Sequence, residues 1–133
     1  LDNLQSLFLA EKLKHIDRWT DERIRLGKHY CDALSGVPNR STIGKDVYHV
    51  FYTLQKDRAN YIKYMNEKRV QTNIQYPIAL TKQTCFLPYV TGPCPNAEGF
   101  SAKCVSIPLF PGMTSEEVEF TLNCHRGYCL DFD

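Results

Sequence analysis

Apolar residues recur mostly every three to five positions from Asp2 to about Leu34, at Leu4, Phe8, Leu13, Ile16, Trp19, Ile24, Tyr30 and Leu34. That spacing predicts a helix with one apolar stripe. Charged residues from Glu11 to Lys28, Glu22 and Arg23 among them, fill its other faces. At about 1.5 Å per residue the helix would run about 50 Å. A compact domain of this size does not need such a length, so the helix is expected to bridge two bodies. Gly27 is the point where it would bend or split, and Ser35-Gly36-Val37-Pro38 stops it. His15 and His29 fall on its charged faces and are expected to be solvated.

A polar loop, Asn39 to Asp46, precedes Val47 to Leu54, which is apolar on both sides and therefore predicts a central strand. His49 lies within it as a buried histidine. Asp57 is placed to cap a helix through about Lys68, with Ala59, Ile62 and Met65 inward. Val70 to Pro77 alternates strictly, with Val70, Thr72, Ile74 and Tyr76 on one side and Gln71, Asn73 and Gln75 on the other. This predicts a half-buried strand ended by Pro77, which has no amide hydrogen to donate. Its tip carries a carboxamide and a phenol, Gln75 and Tyr76, where a polar ligand could be met; an ordinary strand with a solvated face is the plainer alternative.

Ile78 to Asn96 is irregular, with Pro88, Gly92, Pro93 and Pro95; long loops beside strand ends tend to carry function or an interface. Ala97 to Cys104 predicts a short helix. Val105 to Gly112 contains two prolines and predicts an edge strand at most. Thr114-Ser115-Glu116-Glu117 is a capping box that opens a helix to about Arg126. Gly127 to Asp133 carries no pattern of its own.

The chain has 133 residues, 43% hydrophobic and 23% charged, with a formal net charge of +1. That is the composition of one globular domain. Such a charge provides no electrostatic attraction to nucleic acid or to an anionic membrane. No apolar run approaches the ~20 residues of a membrane span. The six cysteines are Cys31, Cys85, Cys94, Cys104, Cys124 and Cys129. They are expected to be reduced, mostly buried thiols in a cytoplasmic protein. Cys124-His125 with Cys129 comes nearest to zinc-ligand spacing, but metal is not expected. No GxSxG, P-loop, HExxH or GxGxxG motif occurs. Ser41 to Lys45 sits in a polar loop without an activating environment, and Cys104 with His125 makes no nucleophile pair that spacing alone supports. The first residue is Leu, inside a helical stretch, so a fragment or processed product is expected.

Four blocks, taken in order, resemble the C-terminal portion of the DegT/DnrJ/StrS aminotransferases, which use pyridoxal 5'-phosphate to aminate nucleotide-linked keto sugars. Leu1-Asp2-Asn3-Leu4-Gln5 with Lys12-Leu13 resembles the start of that family's inter-domain helix. His49-Val50-Phe51 with Asp57-Arg58 resembles its His-x-Tyr strand and following helix start, Phe51 standing at the usual tyrosine. Val70-Gln71-Thr72, Gln75-Tyr76-Pro77 and Gln83 resemble its Thr-x-x-His-Tyr-Pro strand and the later glutamine. Pro95-Asn96-Ala97-Glu98 and Ser106 to Thr114 resemble its last helix and Leu-Pro-Leu-x-Pro-x-Met-Thr segment, the most specific block of all.

The resemblance implies an α+β fold, the small domain of fold-type I aminotransferases. It has a long N-terminal helix and a small, mainly antiparallel sheet with helices packed on one face. Residues 1–133 would be a single C-terminal domain, with 1–35 as the inter-domain helix and 47–126 as the body. The large domain, which holds the cofactor and its Schiff-base lysine, would be absent, and the family's Asn-x-Arg would end just before Leu1. Gln75, Tyr76, Gln83 and, more weakly, His49 would face the nucleotide sugar, while Asp2, Asn3 and Gln5 would lie at the domain and subunit junction. The chain alone would bind no pyridoxal 5'-phosphate, would be inactive, and would self-associate through its bared first helix. Gln75 replaces the usual histidine, so a group that titrates near neutrality has become one that does not. The alternative is a stand-alone interaction module with the same fold.

Overall fold

The computed structural model describes residues 2–34 and 46–132. Ser35 to Pro38, most of the Asn39–Asp46 loop and the Ser41–Lys45 neighbourhood lie outside the described residues. The first helical stretch is two helices, α1 (Asn3–Leu13) and α2 (Ile16–Ala33). Asp2 caps α1 by accepting from the Gln5 amide at 2.8 Å. The break falls at Lys14–His15, not at Gly27. There the amides of Lys14 and His15 bond to the carbonyls of Glu11 and Lys12, a tightening to three-residue spacing that ends the α-ladder. Gly27 is buried inside an unbroken α2, and its lack of a side chain leaves room for the ring of Tyr48.

The sheet has two antiparallel strands, β1 (Phe51–Leu54) and β2 (Cys104–Ile107), with Phe51 opposite Ile107 and Leu54 opposite Cys104. On the other side of β2, Asn73 and Ser106 exchange backbone hydrogen bonds of 3.1 and 2.7 Å. This corrects three expectations. The strand expected over Val47 to Leu54 is confined to its last four residues. The alternating stretch from Val70 to Pro77 contributes a single bridge rather than a strand. The central position belongs to β2, all four residues of which are buried, although its segment reads as an edge at most. The prolines explain why: Pro108 and Pro111 both follow β2, so its own amides remain free to pair on both sides.

Asp57 caps α3 (Arg58–Glu67) through the Asn60 amide at 3.0 Å. Its inward residues are Tyr61 and Met65, with Ile62 half-buried, whereas Ala59 is exposed. The segment from Ile78 to Cys94 has only two short 3₁₀ turns, Leu80–Lys82 and Leu87–Tyr89. Then α4 (Pro95–Lys103) runs directly into β2. Glu98 gathers this loop: it pairs with Lys82 at 3.2 Å and accepts from Thr81 and the Cys94 amide. The Lys82 ammonium holds its carboxyl below the ordinary range.

The capping box forms as expected. The Thr114 hydroxyl accepts from the Glu117 amide at 3.2 Å, and the Glu117 carboxylate accepts from the Thr114 amide at 2.8 Å. The helix it opens, α5 (Ser115–Phe132), continues six residues past Arg126 through the stretch that carried no pattern.

Leu26 and Tyr30 from α2, Leu34 at its C-cap, Phe51 from β1, Tyr61 and Met65 from α3, and Val118, Leu122 and Tyr128 from α5 share one core with Val105 and Ile107. Tyr30 meets the Phe51 ring edge-on at 5.0 Å, and Tyr61 meets Tyr128 at 4.9 Å. The next residue along β1, Tyr52, points the other way and meets Phe100 of α4. The α+β class with a small antiparallel sheet therefore holds. No helix among the described residues is long and apolar enough to cross a membrane.

Candidate functional site

The corner that follows the Asn73 bridge carries three of the residues singled out by resemblance. Asn73 accepts from the next amide, Ile74, through its own side chain at 2.9 Å, turning the chain out of the sheet. The Cys104 thiol donates to the Gln75 carbonyl at 3.4 Å, tying the corner to the start of β2. Tyr76 has φ +59° and its side chain is 70% exposed. An exposed tyrosine held in the left-handed region is uncommon, and it presents the phenol to solvent instead of to the sheet. Gln83 reaches back from the first 3₁₀ turn and donates to the Ile78 carbonyl at 3.4 Å, closing the loop behind Pro77. The Thr72 hydroxyl, three residues before Gln75, is buried with no hydrogen-bond partner among the described residues. A buried hydroxyl left unsatisfied is rare and costly.

His49 lies elsewhere. It is exposed in a bend before β1, not buried in a strand. It lines a cleft of about 560 Å³ with Ile16, Trp19, Thr20, Arg23, Val47 and Pro111. Gln75, Tyr76 and Gln83 are not among the residues of that cleft. Arg23 organises its floor by donating to the carbonyls of Tyr48, His49 and Leu109 at 3.0–3.4 Å. Beside it, Glu22 accepts from the Gly112 amide at 3.0 Å, and the Tyr30 hydroxyl donates to the Pro108 carbonyl at 2.9 Å. Glu22 and Arg23 are thus half-buried ties between α2 and the proline-rich segment, not members of a solvated face. Sequence reasoning missed both, because a charge that satisfies distant carbonyls is spelled like any other charge.

Asp2, Asn3 and Gln5 are exposed in the first turn of α1, and no residue of α1 is buried. His15 is exposed as expected, and exposed His29 is 3.0 Å from Glu119 of α5. All described lysines, from Lys12 to Lys103, are exposed. None therefore offers the desolvated amine by which a protein tunes a Schiff-base lysine.

The cysteines are free thiols of mixed burial: Cys31, Cys104 and Cys124 are buried, Cys129 is half-buried, and Cys85 and Cys94 are exposed. The expectation that most are buried therefore fails for half of them, because the loop that holds Cys85 and Cys94 contributes little to the core. Burial pushes the Cys104 and Cys124 thiols up. His125 does not pair with Cys104 but with Cys129, one helical turn along α5. Among the described residues no three metal-ligating side chains converge.

A broken amphipathic helix pair, a small antiparallel sheet and a polar corner beside its middle strand define a small α+β lobe of the kind found in sugar aminotransferases. The chain belongs to the DegT/DnrJ/EryC1/StrS aminotransferase family, whose profile matches residues 1–124. It is 30% identical over 131 residues to the pleiotropic regulatory protein of Geobacillus stearothermophilus, covering 92% of this chain and 35% of that protein. It is also 30% identical, over 132 residues, to the dTDP-3-amino-3,6-dideoxy-alpha-D-galactopyranose transaminase of Aneurinibacillus thermoaerophilus, covering 96% of this chain and 36% of the enzyme. The chain thus spans about a third of the length of these relatives. Among solved structures, the fold matches DesV of S. venezuelae, determined in complex with a ketimine intermediate, with a TM-score of 0.86 and 23% identity over 100% of this chain and 38% of DesV. An aminotransferase of this family from Brucella abortus matches with a TM-score of 0.87 and 22% identity, over 96% of this chain and 36% of that one.

Proposed function

We propose that this chain is the C-terminal small domain of a pyridoxal-phosphate-dependent aminotransferase acting on nucleotide-linked keto sugars. Gln75, Tyr76 and Gln83 would lie on the sugar side of the site. The observation that carries this is a family match over residues 1–124 to proteins about three times as long, among them a transaminase named for a dTDP-linked amino sugar. The exposed Tyr76 phenol supports it from geometry, since it is a polar group presented outward.

The cofactor would supply the electron sink for amino transfer. The amine that holds it would come from polypeptide outside the described residues, a reading supported by the exposure of every described lysine. This chain's share is binding and orientation: Gln75 donates and accepts neutral hydrogen bonds, and Tyr76 offers a hydroxyl and a ring face. His49, on the Arg23 cleft, takes a lesser part. Asp2, Asn3 and Gln5 open α1 at the domain and subunit junction, and the apolar faces of α1 dock there. In isolation the chain is inactive and self-associates. A cytoplasmic, homodimeric enzyme without nucleic-acid or membrane partners completes the proposal.

In the intact protein, Gln75→Ala is expected to raise KM for the nucleotide sugar about tenfold, the worth of one good hydrogen bond, while kcat changes little. An unchanged KM in both Gln75→Ala and Tyr76→Phe would overturn the assignment of this corner. A second function, regulation without catalysis, draws on the name of the Geobacillus relative. It predicts that the full reading frame lacks a cofactor lysine.

A further inference from the structure

Tyr76 stands in a backbone conformation that its neighbour opposes. A φ of +59° is one that residues with a side chain seldom adopt, and Pro77 pushes the residue before it toward extended backbone with negative φ. Such a conformation persists only where the surrounding structure holds it. On the near side, the backbone of Asn73 is fixed by its two bonds to Ser106, and its side chain accepts from the Ile74 amide. On the far side, the Gln75 carbonyl accepts from the Cys104 thiol at 3.4 Å. That carbonyl and the Tyr76 amide belong to one rigid peptide plane. Fixing the oxygen therefore fixes the plane about which the φ of Tyr76 is set.

Cys104 is a firmly held donor. It is buried, its amide donates to the Phe100 carbonyl at the end of α4, and its backbone pairs opposite Leu54 in the ladder. Two carbonyls lie within reach of the thiol, Gln75 at 3.4 Å and Ser101 at 3.9 Å. The Ser101 carbonyl already accepts from Arg58 at 2.7 Å, so the nearer Gln75 carbonyl is the one the thiol serves. Burial pushes the Cys104 thiol up, so near neutral pH it keeps the hydrogen that it donates.

We propose, on the reading that this corner faces the sugar, that Cys104 is a positioning residue for the nucleotide sugar. Its thiol locks the Gln75–Tyr76 peptide, so the carboxamide and the phenol meet the sugar already in place. Without that bond the peptide is free to turn toward the extended backbone that Pro77 favours, which carries the Tyr76 ring away. A corner that is ready for only part of the time binds more weakly in proportion to that fraction.

The test is calorimetric titration of the intact protein with dTDP-glucose and UDP-N-acetylglucosamine, two stable nucleotide sugars. Cys104→Ala is expected to weaken binding about threefold or more, the worth of a weak hydrogen bond. Cys104→Ser keeps a donor and should restore most of the loss. Cys104→Val, which fills the space of the thiol without a donor, should repeat the loss and decides the outcome if the alanine variant does not fold. In protein that already carries Gln75→Ala and Tyr76→Phe, Cys104→Ala should have no further effect, because the thiol acts through those two side chains. A folded Cys104→Ala protein that binds as wild type, while Gln75→Ala weakens binding, would overturn this proposal alone. Losses of equal size in the two backgrounds would also overturn it, since they mark a purely structural residue. Should neither Gln75→Ala nor Tyr76→Phe weaken binding, or wild type bind neither sugar, the placement of the corner fails and the role of Cys104 with it.

Discussion

Gly27, in the middle of α2, lies directly under the ring of Tyr48, so closely that a β-carbon at position 27 would overlap the root of that ring. Tyr48 is buried and has φ +49°, fixed on one side by the Asp46 carboxylate, which accepts from its amide, and on the other by Arg23 at its carbonyl. The ring cannot retreat cheaply. Gly27→Ala should therefore destabilise the protein by about 1–3 kcal/mol through overpacking. Helix propensity alone would make it a gain of about 1 kcal/mol. Urea unfolding decides between the two signs.

Thr114 and Glu117 hold the start of α5 by reciprocal bonds. Thr114→Ala should cost about 1 kcal/mol, and Thr114→Asp, which restores an acceptor, should recover most of it. Equal losses in the two variants would show that the hydroxyl does not act as a cap.

Burial pushes the Tyr30 phenol from 10.0 up to about 12, and burial raises Tyr61 further still. Because the folded values lie above the unfolded one, the stability these phenols contribute is fully present below pH 10 and is lost as pH rises through the folded values. Alkaline titration followed by tyrosinate absorbance should show late-ionising phenols whose appearance coincides with loss of circular dichroism. In Tyr30→Phe the alkaline loss of stability should shrink.

Tyr76 combines an exposed ring with a left-handed backbone. A left-handed residue other than glycine costs about 1–2 kcal/mol, and glycine's extra freedom when unfolded returns about 0.5–1 kcal/mol of that. Tyr76→Gly should thus leave stability unchanged or raise it by up to about 1.5 kcal/mol, while weakening nucleotide-sugar binding in the intact protein. Thermal unfolding and KM, measured on the same variant, separate a binding residue from a structural one, since a structural residue would lower stability.

Leu4, Leu7 and Phe8 of α1 are 63%, 69% and 62% exposed. Covering each is worth about 1.5–3 kcal/mol. This 133-residue polypeptide is expected to self-associate through them, and Leu4→Glu with Phe8→Glu should return it to a monomer by sedimentation velocity. A wild-type monomer at all concentrations would show that the stripe stays uncovered.

Local chemistry was legible from the chain alone. The Asp57 and Thr114 caps involve partners three residues away, so spacing suffices to find them. The stripe reports burial by period in α2, where Leu26 and Tyr30 are buried, but not in α1, none of whose residues is buried, and the motif blocks from Leu1 to Thr114 carried the family and its α+β class. Tertiary structure decided whatever depended on partners far along the chain. Val70 to Pro77 alternates like a strand, yet pairs only at Asn73: before it the facing segment of β2 runs into Pro108, held by Tyr30 of α2, and after it the Asn73 side chain turns the chain out of the sheet. Gly27 makes room for a ring 21 positions later, and Tyr61 meets His125 across 64 positions. Side-chain periodicity records which face is buried but not what buries it, and that second fact exists only once the chain has closed on itself.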